Sequence, residues 1–247
     1  MRSIAVYSLK GGVGKTTLAV NLAWAAATKS ARKTLLWDLD AQSAASYLLG
    51  ADANGPSEAQ GVFAKEVNPT KLVQTTATPR LDLLAADASL RGLDHFLHDL
   101  DKKKRLLKLI ERLGQDYDRI VLDAPPGLTD TSEQVLRAAD LILVPLIPSP
   151  LSQRAFDEVL TFLDRNQIRH GPVLPVYNMV DRRRSLHLAA LAAHDDWPVV
   201  PMASAFEAMS ASSGGVARLP TSSPAAQALF ALWTGVEKKL ARRAKSG

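Results

Sequence analysis

Apolar and polar positions fall into two alternating rhythms along the 247-residue chain. Short runs that are apolar almost throughout occupy Ile4–Leu9, Thr34–Asp40, Arg119–Asp123, Leu141–Ile147, Val173–Met179 and Val199–Met202. A strand buried on both faces reads this way, because neither alternating set of side chains meets water. Between them lie longer stretches of helical period: Thr16–Thr28, Asp101–Leu113, Ser132–Ala138, Ser152–Arg165, Ser185–Ala193 and Pro224–Arg243. Strand and helix in alternation predict an α/β fold, a mostly parallel twisted sheet covered by helices on both faces in the doubly wound manner. Ser223 is the expected N-cap of the last helix and Pro224 its first helical residue. Residues 51–90 follow neither rhythm well; Leu72–Thr76 and Leu81–Ala85 read as short strands flanking a turn at Thr78-Pro79-Arg80. No repeat and no long Gly/Ser-rich or Pro-rich linker interrupts the chain, so residues 1–247 read as a single domain.

Composition narrows the chemistry. Apolar residues make up 47% and charged residues 22%, the balance of an ordinary globular protein. Cysteine is absent, which removes disulfide frameworks, thiolate catalysis, cysteine-ligated zinc and iron–sulfur clusters. The net charge of +5 is localised: Lys238, Lys239, Arg242, Arg243 and Lys245 crowd the last ten residues, and without them 25 cations face 25 acids. The 237–247 segment is therefore a basic helix end, read either as a solvated surface or as a polyanion contact. No run reaches the roughly eighteen apolar residues of a membrane span. Lys10 breaks the first apolar run and no small-residue cleavage site follows, so a cytoplasmic location is expected.

The most specific signal follows the first strand: Lys10-Gly11-Gly12-Val13-Gly14-Lys15-Thr16-Thr17, then a helical run. Glycines let the backbone curl so that successive N–H groups converge on phosphate oxygens. The helix that follows offers its free N–H groups and positive dipole end to the same anion. Lys15 stands where an ammonium reaches the β- and γ-phosphates, and the Thr16 hydroxyl is placed for Mg²⁺. The ordinary phosphate loop has glycine five positions before Gly14; here Leu9 occupies that position and Lys10 adds a second cation. Asp123, ending a buried strand, is the expected Mg²⁺ holder, acting through the ion's waters. Asp40 also lies at a strand's C-terminal edge, where open α/β sheets bind ligands. Asn178, after an apolar strand, either hydrogen-bonds an adenine edge or closes a turn.

The loop from Lys10 to Thr17 resembles the deviant phosphate loop of the ParA/MinD family of P-loop ATPases. Asp38-Leu39-Asp40-Ala41-Gln42 is similar to the family's Asp-x-Asp-Pro-Gln segment, and Ile120-Val121-Leu122-Asp123-Ala124-Pro125-Pro126 to its strand-borne aspartate with two prolines. Val144–Pro148 and Asn178–Arg183 fall where comparable segments occur. The resemblance implies ATP and Mg²⁺ as cofactors and a homodimer when ATP is bound. It implies that Lys10 reaches the partner's phosphates and that Asp40 orients the attacking water, close enough to the Mg²⁺ to share its shell. Lys10, Lys15 and Asp40 are thus the catalytic candidates. Asp38 is expected to be structural. Ala41 replaces the family's proline, and Met202-Ala203-Ser204-Ala205 stands where partitioning members carry an arginine-rich stretch.

Arg182-Arg183-Arg184 follows a strand and opens a helix. With the basic C-terminal end it could give a dimer a face for non-specific DNA, and the resemblance singles out Arg183. The alternative is pairing with Asp195 or Asp196. His95 and His98, flanked by Asp94 and Asp99, have no third ligand at a metal-site spacing, and Lys102-Lys103-Lys104-Arg105 reads as a solvated face. Tyr7, Trp24, Trp37, Trp197 and Trp233 read as core or interface filling.

The expected function is an ATP-dependent dimerising switch that positions a cargo (plasmid, chromosome region or protein assembly) on nucleoid DNA. A ParB-like or other adaptor would stimulate its hydrolysis. A MinD-like membrane-cycling ATPase is the alternative, but Leu229, Leu232, Trp233, Val236 and Leu240 read as packing rather than an anchor, and Ala241–Gly247 has no large apolar residue. A small-molecule P-loop enzyme is the remaining one, without a recognisable acceptor motif. The first strand begins near residue 2, so an N-terminal operator-binding domain is not expected.

Overall fold

The computed structural model describes residues 1–51, 58–99, 104–211, 213 and 220–246. In chain order the elements are β1 (Arg2–Val6), α1 (Lys15–Lys29), β2 (Thr34–Asp38), α2 (Ala44–Leu49), α3 (Ala59–Ala64), β3 (Val73–Thr75), β4 (Leu81–Leu84), α4 (Leu93–Asp99) and α5 (Arg105–Leu113). There follow β5 (Arg119–Asp123), α6 (Asp130–Ala138), β6 (Leu141–Leu146), α7 (Pro150–Arg165), β7 (Val173–Val180), α8 (Ser185–Ala193), β8 (Val199–Pro201), α9 (Ser204–Ser210) and α10 (Pro224–Ser246).

The strands form one eight-stranded sheet in the order β3-β4-β2-β5-β1-β6-β7-β8. Every neighbouring pair is parallel except the antiparallel β3–β4 edge. This is the expected doubly wound sheet of a P-loop NTPase. Period-two alternation splits each central strand between two cores. Ala5, Tyr7, Leu35, Trp37, Ile120 and Leu122 face one core, packed by α5, α6 and α7. Ile4, Val6, Leu36 and Val121 face the other, packed by α1 and α10. The apolar stripe Leu229, Leu232, Trp233, Val236 and Leu240 is buried there, and the Trp233 indole donates to Ser30 Oγ at 2.7 Å. Glu237 forms a bidentate pair with Arg119, at 2.6 and 2.9 Å, fixing α10 against the base of β5.

Several boundaries differ from the sequence reading for local reasons. β1 closes at Val6, although Tyr7 N still donates to the Leu143 carbonyl of β6 at 3.0 Å before the chain turns into the loop; β2 closes at Asp38, leaving Asp40 two residues beyond it. α6 and α7 start earlier than expected, where Thr129 and Ser149 cap their first turns. Ser223 Oγ accepts from Ala226 N at 3.2 Å, the cap expected for α10. The predicted helix over 101–113 is observed from Arg105; residues 101–103, with Lys102 and Lys103, lie outside the described residues. Arg105 is not part of a solvated face: it is buried, and its guanidinium donates to the carbonyls of Phe63 at 2.7 Å and Val62 at 3.2 Å.

The strand order reverses about β1, between β5 and β6. Ligands of open α/β sheets bind in that crevice, beyond the carboxyl ends of the strands.

Candidate nucleotide site

The loop between β1 and α1 is shaped by backbone that only glycine adopts without strain. Gly12 and Gly14 have φ of +73° and +83°. At Gly14 even the left-handed conformation is not the whole constraint: a Cβ there would lie 2.5 Å from Asn178 Nδ2. That amide donates to the Val13 carbonyl at 2.8 Å, tying the loop to the end of β7. α1 has neither a side-chain cap nor an acid in its first turn. Its leading N–H groups are therefore free for an anion.

Lys15 is 8% exposed, and its Nζ donates to the Lys10 carbonyl at 3.0 Å. Burial lowers its pKa, while Asp123 and Asp40 oppose the fall. The Lys10 side chain is half-buried, with no hydrogen bond or ion pair for its ammonium among the described residues. Thr16 and Thr17 are half-buried on the first turn of α1, and Gly11 and Gly12 are exposed.

Two carboxylates meet at the ends of β2 and β5, where Asp38 and Asp123 are register partners. Asp123 is 1% exposed, and neither of its oxygens has a hydrogen-bond partner among the described residues. Burial, then the nearby Asp38, drives its pKa well above the usual carboxylate range; the Thr16 hydroxyl is near enough to oppose the rise without forming a bond. A buried, partnerless carboxylate beside a hydroxyl and a phosphate loop is costly unless a cation completes it. The donor set Asp123 and Thr16 fits Mg²⁺, a hard ion that takes oxygen ligands and keeps waters.

Asp38 is finished differently. Its Oδ2 accepts from Ser46 N at 2.9 Å and Ser46 Oγ at 2.7 Å, and its Oδ1 from Asp40 N at 3.1 Å. Ser46 Oγ in turn accepts from Ala86 N at 2.9 Å. Asp40 is half-buried and its Oδ1 accepts from Gln42 N at 3.0 Å. The segment carrying Asp40 is thus pinned at its root by Asp38. Sequence reasoning missed Ser46, because a serine eight residues from its partner in a segment without period gives no signal.

Beside Thr17 and Asn178 opens a cavity of about 220 Å³, also lined by Pro201, Met202, Phe206 and Leu229. It is mostly apolar and lies next to the loop, which suits a flat heteroaromatic base. The sequence offered Asn178 for this place but not Pro201, Met202 or Phe206, which come from β8, the connection after it and the short α9.

Arg182, Arg183 and Arg184 are exposed in the turn after β7. Arg183 does not pair with Asp195 or Asp196 but with Asp181, which its guanidinium meets at 2.9 Å through both Nε and Nη2. The Asp181 carboxyl is accordingly held low, at about 2. Arg182 and Arg184 have no ion pair among the described residues. His98 pairs with Asp130 at 3.2 Å, and the described residues contain no cluster of three or more metal-ligating side chains.

Comparison with known proteins agrees with this geometry. A family model described as an AAA domain matches residues 1–174. The chain is 31% identical over 194 residues to a chromosome partitioning protein ParA of Caulobacter vibrioides, covering 75% of this chain and 72% of that one. It is 30% identical over 173 residues to a ParA family protein of Chlamydia trachomatis, covering 69% and 68%. A solved structure of an alanine variant of McdA from Cyanothece in complex with ATP superposes with a TM-score of 0.81 at 21% identity, covering 98% of this chain and 96% of that one.

Proposed function

The chain belongs to the ParA family of P-loop NTPases, and on that premise we propose that it is a Mg²⁺-dependent ATPase whose ATP-bound form is a homodimer that positions a cargo. The observation that carries the reading is a buried Lys15 within electrostatic reach of a buried Asp123 that has no hydrogen-bond partner among the described residues, at the mouth of a glycine-shaped loop. Lys15 would neutralise the β- and γ-phosphates, with the N–H groups of Gly11 to Thr17 cradling them. Thr16 and Asp123 would hold Mg²⁺, which supplies charge neutralisation at the transferring phosphoryl group. Asp40 would orient the attacking water. The adenine would lie in the cavity beside Asn178.

Lys10 separates a switch from a small-molecule kinase or ligase. Its carbonyl is engaged by Lys15 while its ammonium has no partner among the described residues, leaving that charge for phosphates presented by a second subunit. Buried packing of the α10 stripe weighs against the membrane-cycling alternative, and no helix among the described residues is long and apolar enough to cross a membrane. The surface we propose is non-specific nucleoid DNA, contacted by Arg182 and Arg184, with Arg183 already partly neutralised by Asp181, and by the exposed Lys238 and Lys239 of α10. A ParB-like or other adaptor protein would accelerate hydrolysis and release the dimer.

ATP turnover by the purified protein, with no metabolite added, tests the reading. Turnover that needs Mg²⁺ and is lost in Asp40→Ala, with a dimer in sedimentation on a slowly hydrolysed ATP analogue, is expected. Turnover unaffected by Lys10→Ala, together with an unchanged dimer, would overturn the cross-subunit role. Gel shifts with unrelated duplexes should show ATP-dependent binding that weakens steeply between about 50 and 200 mM salt, as counterion release requires. Equal binding without ATP would remove the switch from this surface.

A further inference from the structure

α8 is the one helix among those described whose sequence is nearly all apolar and whose surface is nearly all exposed. Within Ser185–Ala193 only His187 is buried. Leu186 and Leu188 are 49% and 46% exposed, and Ala189, Ala192 and Ala193 are exposed between them. At about 100° per residue these positions share one face, with the alanines central and a leucine at each margin. A contiguous apolar face of this kind marks an interaction site.

Its two ends carry opposite charge. Arg182 and Arg184 lie in the turn before the helix and Asp195 and Asp196 in the turn after it, all exposed and without an ion pair among the described residues. Both turns are held in place. The Asp181 N–H donates to the buried His187 Nδ1 at 3.0 Å, and His194 stacks on Trp197 with centroids 4.0 Å apart. The charge pattern is therefore presented by an ordered scaffold.

We infer that α8 pairs with α8 of a second copy of this chain, antiparallel about a two-fold axis passing near Ala189. An isologous contact requires that residues equally far from the axis meet. Counting from Ala189, Arg182 meets Asp196, Ser185 meets Ala193, and Leu186 covers Ala192, while Arg183 stays paired with Asp181. The same centre thus satisfies both the charges and the small residues. A lipid surface would be repelled by the Asp195–Asp196 end, whereas a second copy answers both ends at once. The helix is only about 14 Å long, so one contact is smaller than a stable dimer needs. It becomes effective where copies are concentrated or already linked in pairs. The inference needs no nucleotide; it uses Arg182, which the function proposed above gives to DNA, so the pairing belongs to copies not bound to DNA.

The chain lacks cysteine, which makes the register directly testable. Ala189→Cys, mildly oxidised at high protein concentration without nucleotide or DNA, should form disulfide dimers about tenfold faster than Glu111→Cys, an exposed control on α5. Ala193→Cys alone should cross-link poorly, but should pair readily when mixed with Ser185→Cys. In the Ala189→Cys background, Arg182→Asp or Asp196→Arg should each suppress cross-linking, and the two together should restore it. Cross-linking of Ala189→Cys no faster than that of the control would overturn the pairing. So would equal self-cross-linking of the Ala189→Cys and Ala193→Cys variants, or failure of the double charge reversal to rescue. Binding to anionic vesicles that Leu186→Ser and Leu188→Ser abolish, without disulfide dimers of the Ala189→Cys variant, would overturn it and give the face to a lipid surface.

Discussion

The ends of β2 and β5 lie side by side and terminate in register partners, yet they are finished in opposite ways. Asp38 is fully buried and accepts three hydrogen bonds, two from Ser46 and one from Asp40 N. Asp123 is as buried and accepts none among the described residues. Both carboxyls are pushed up by burial, Asp38 to about 6 and Asp123 well beyond the usual range. The donors around Asp38 oppose that rise, and Asp123 has only the nearby Thr16 and Lys15 to do so. One aspartate belongs to the fold and is complete within the chain. The other is left incomplete, and an incomplete buried carboxylate is the mark of a site built for a cation.

The largest expected effect comes from removing the cation that faces Asp123. Lys15→Ala should weaken ATP binding about 100-fold or more, the loss of a charge-assisted contact to phosphate. Equilibrium dialysis checks it, and unchanged affinity would detach Lys15 from the nucleotide. Next, the two aspartates should respond with opposite sign in denaturant unfolding of the nucleotide-free protein. Asp38→Ala leaves the Ser46 N–H, its hydroxyl and the Asp40 N–H without an acceptor; relief of one buried charge only partly offsets this, so a loss of about 2 kcal/mol is expected. Asp123→Asn at pH 8 removes a buried carboxyl that the unfolded chain ionises freely and the fold does not, and should stabilise by about 1 kcal/mol. A shift of the same sign for both would mean that the two ends are not finished differently after all.

Why one half of this comparison was legible in the sequence and the other was not has a physical explanation. The phosphate loop was readable because Gly12 and Gly14 occupy backbone that excludes other residues, so the chemistry is written into residue type. Central strands were readable because burial on both faces leaves a continuous apolar run, and α8 emerged with the bounds expected for it. α2, α3, α4 and α9 were not anticipated: six or seven residues are too few to establish a period. The Asp38–Ser46 bond depends on where α2 turns, and Ser43 enters that turn with φ of +55°, a conformation that no pattern announces. Arg183 found Asp181 two residues away rather than an acid across the turn, since a short local loop closes at lower entropic cost than a distant one.

The smallest expected effect is the pH dependence of the nucleotide-free protein, and its sign follows from the same two groups. The Asp38 pKa is raised from 3.8 in the unfolded chain to about 6 in the fold, and that of Asp123 is raised further. Between those values the native state holds protons that the unfolded state has released. Stability linked to these groups is therefore fully present below pH ~4 and is lost as pH rises through ~6 and above, at no more than about 1.4 kcal/mol per pH unit for each proton. Because the pair is coupled, the fall reports both carboxyls together rather than either one. Thermal unfolding at constant ionic strength from pH 5 to pH 8 should show it, and Asp123→Asn should remove the upper part of the slope and about halve the lower part, where both carboxyls hold protons that the unfolded chain has released. Mg²⁺ with ATP calls for the ionised Asp123, so the thermal shift they produce should grow from pH 5.5 to pH 8 in the wild type. A shift independent of pH would show that Asp123 is already ionised in the nucleotide-free fold, and the contrast between the two strand ends would then rest on hydrogen bonds alone.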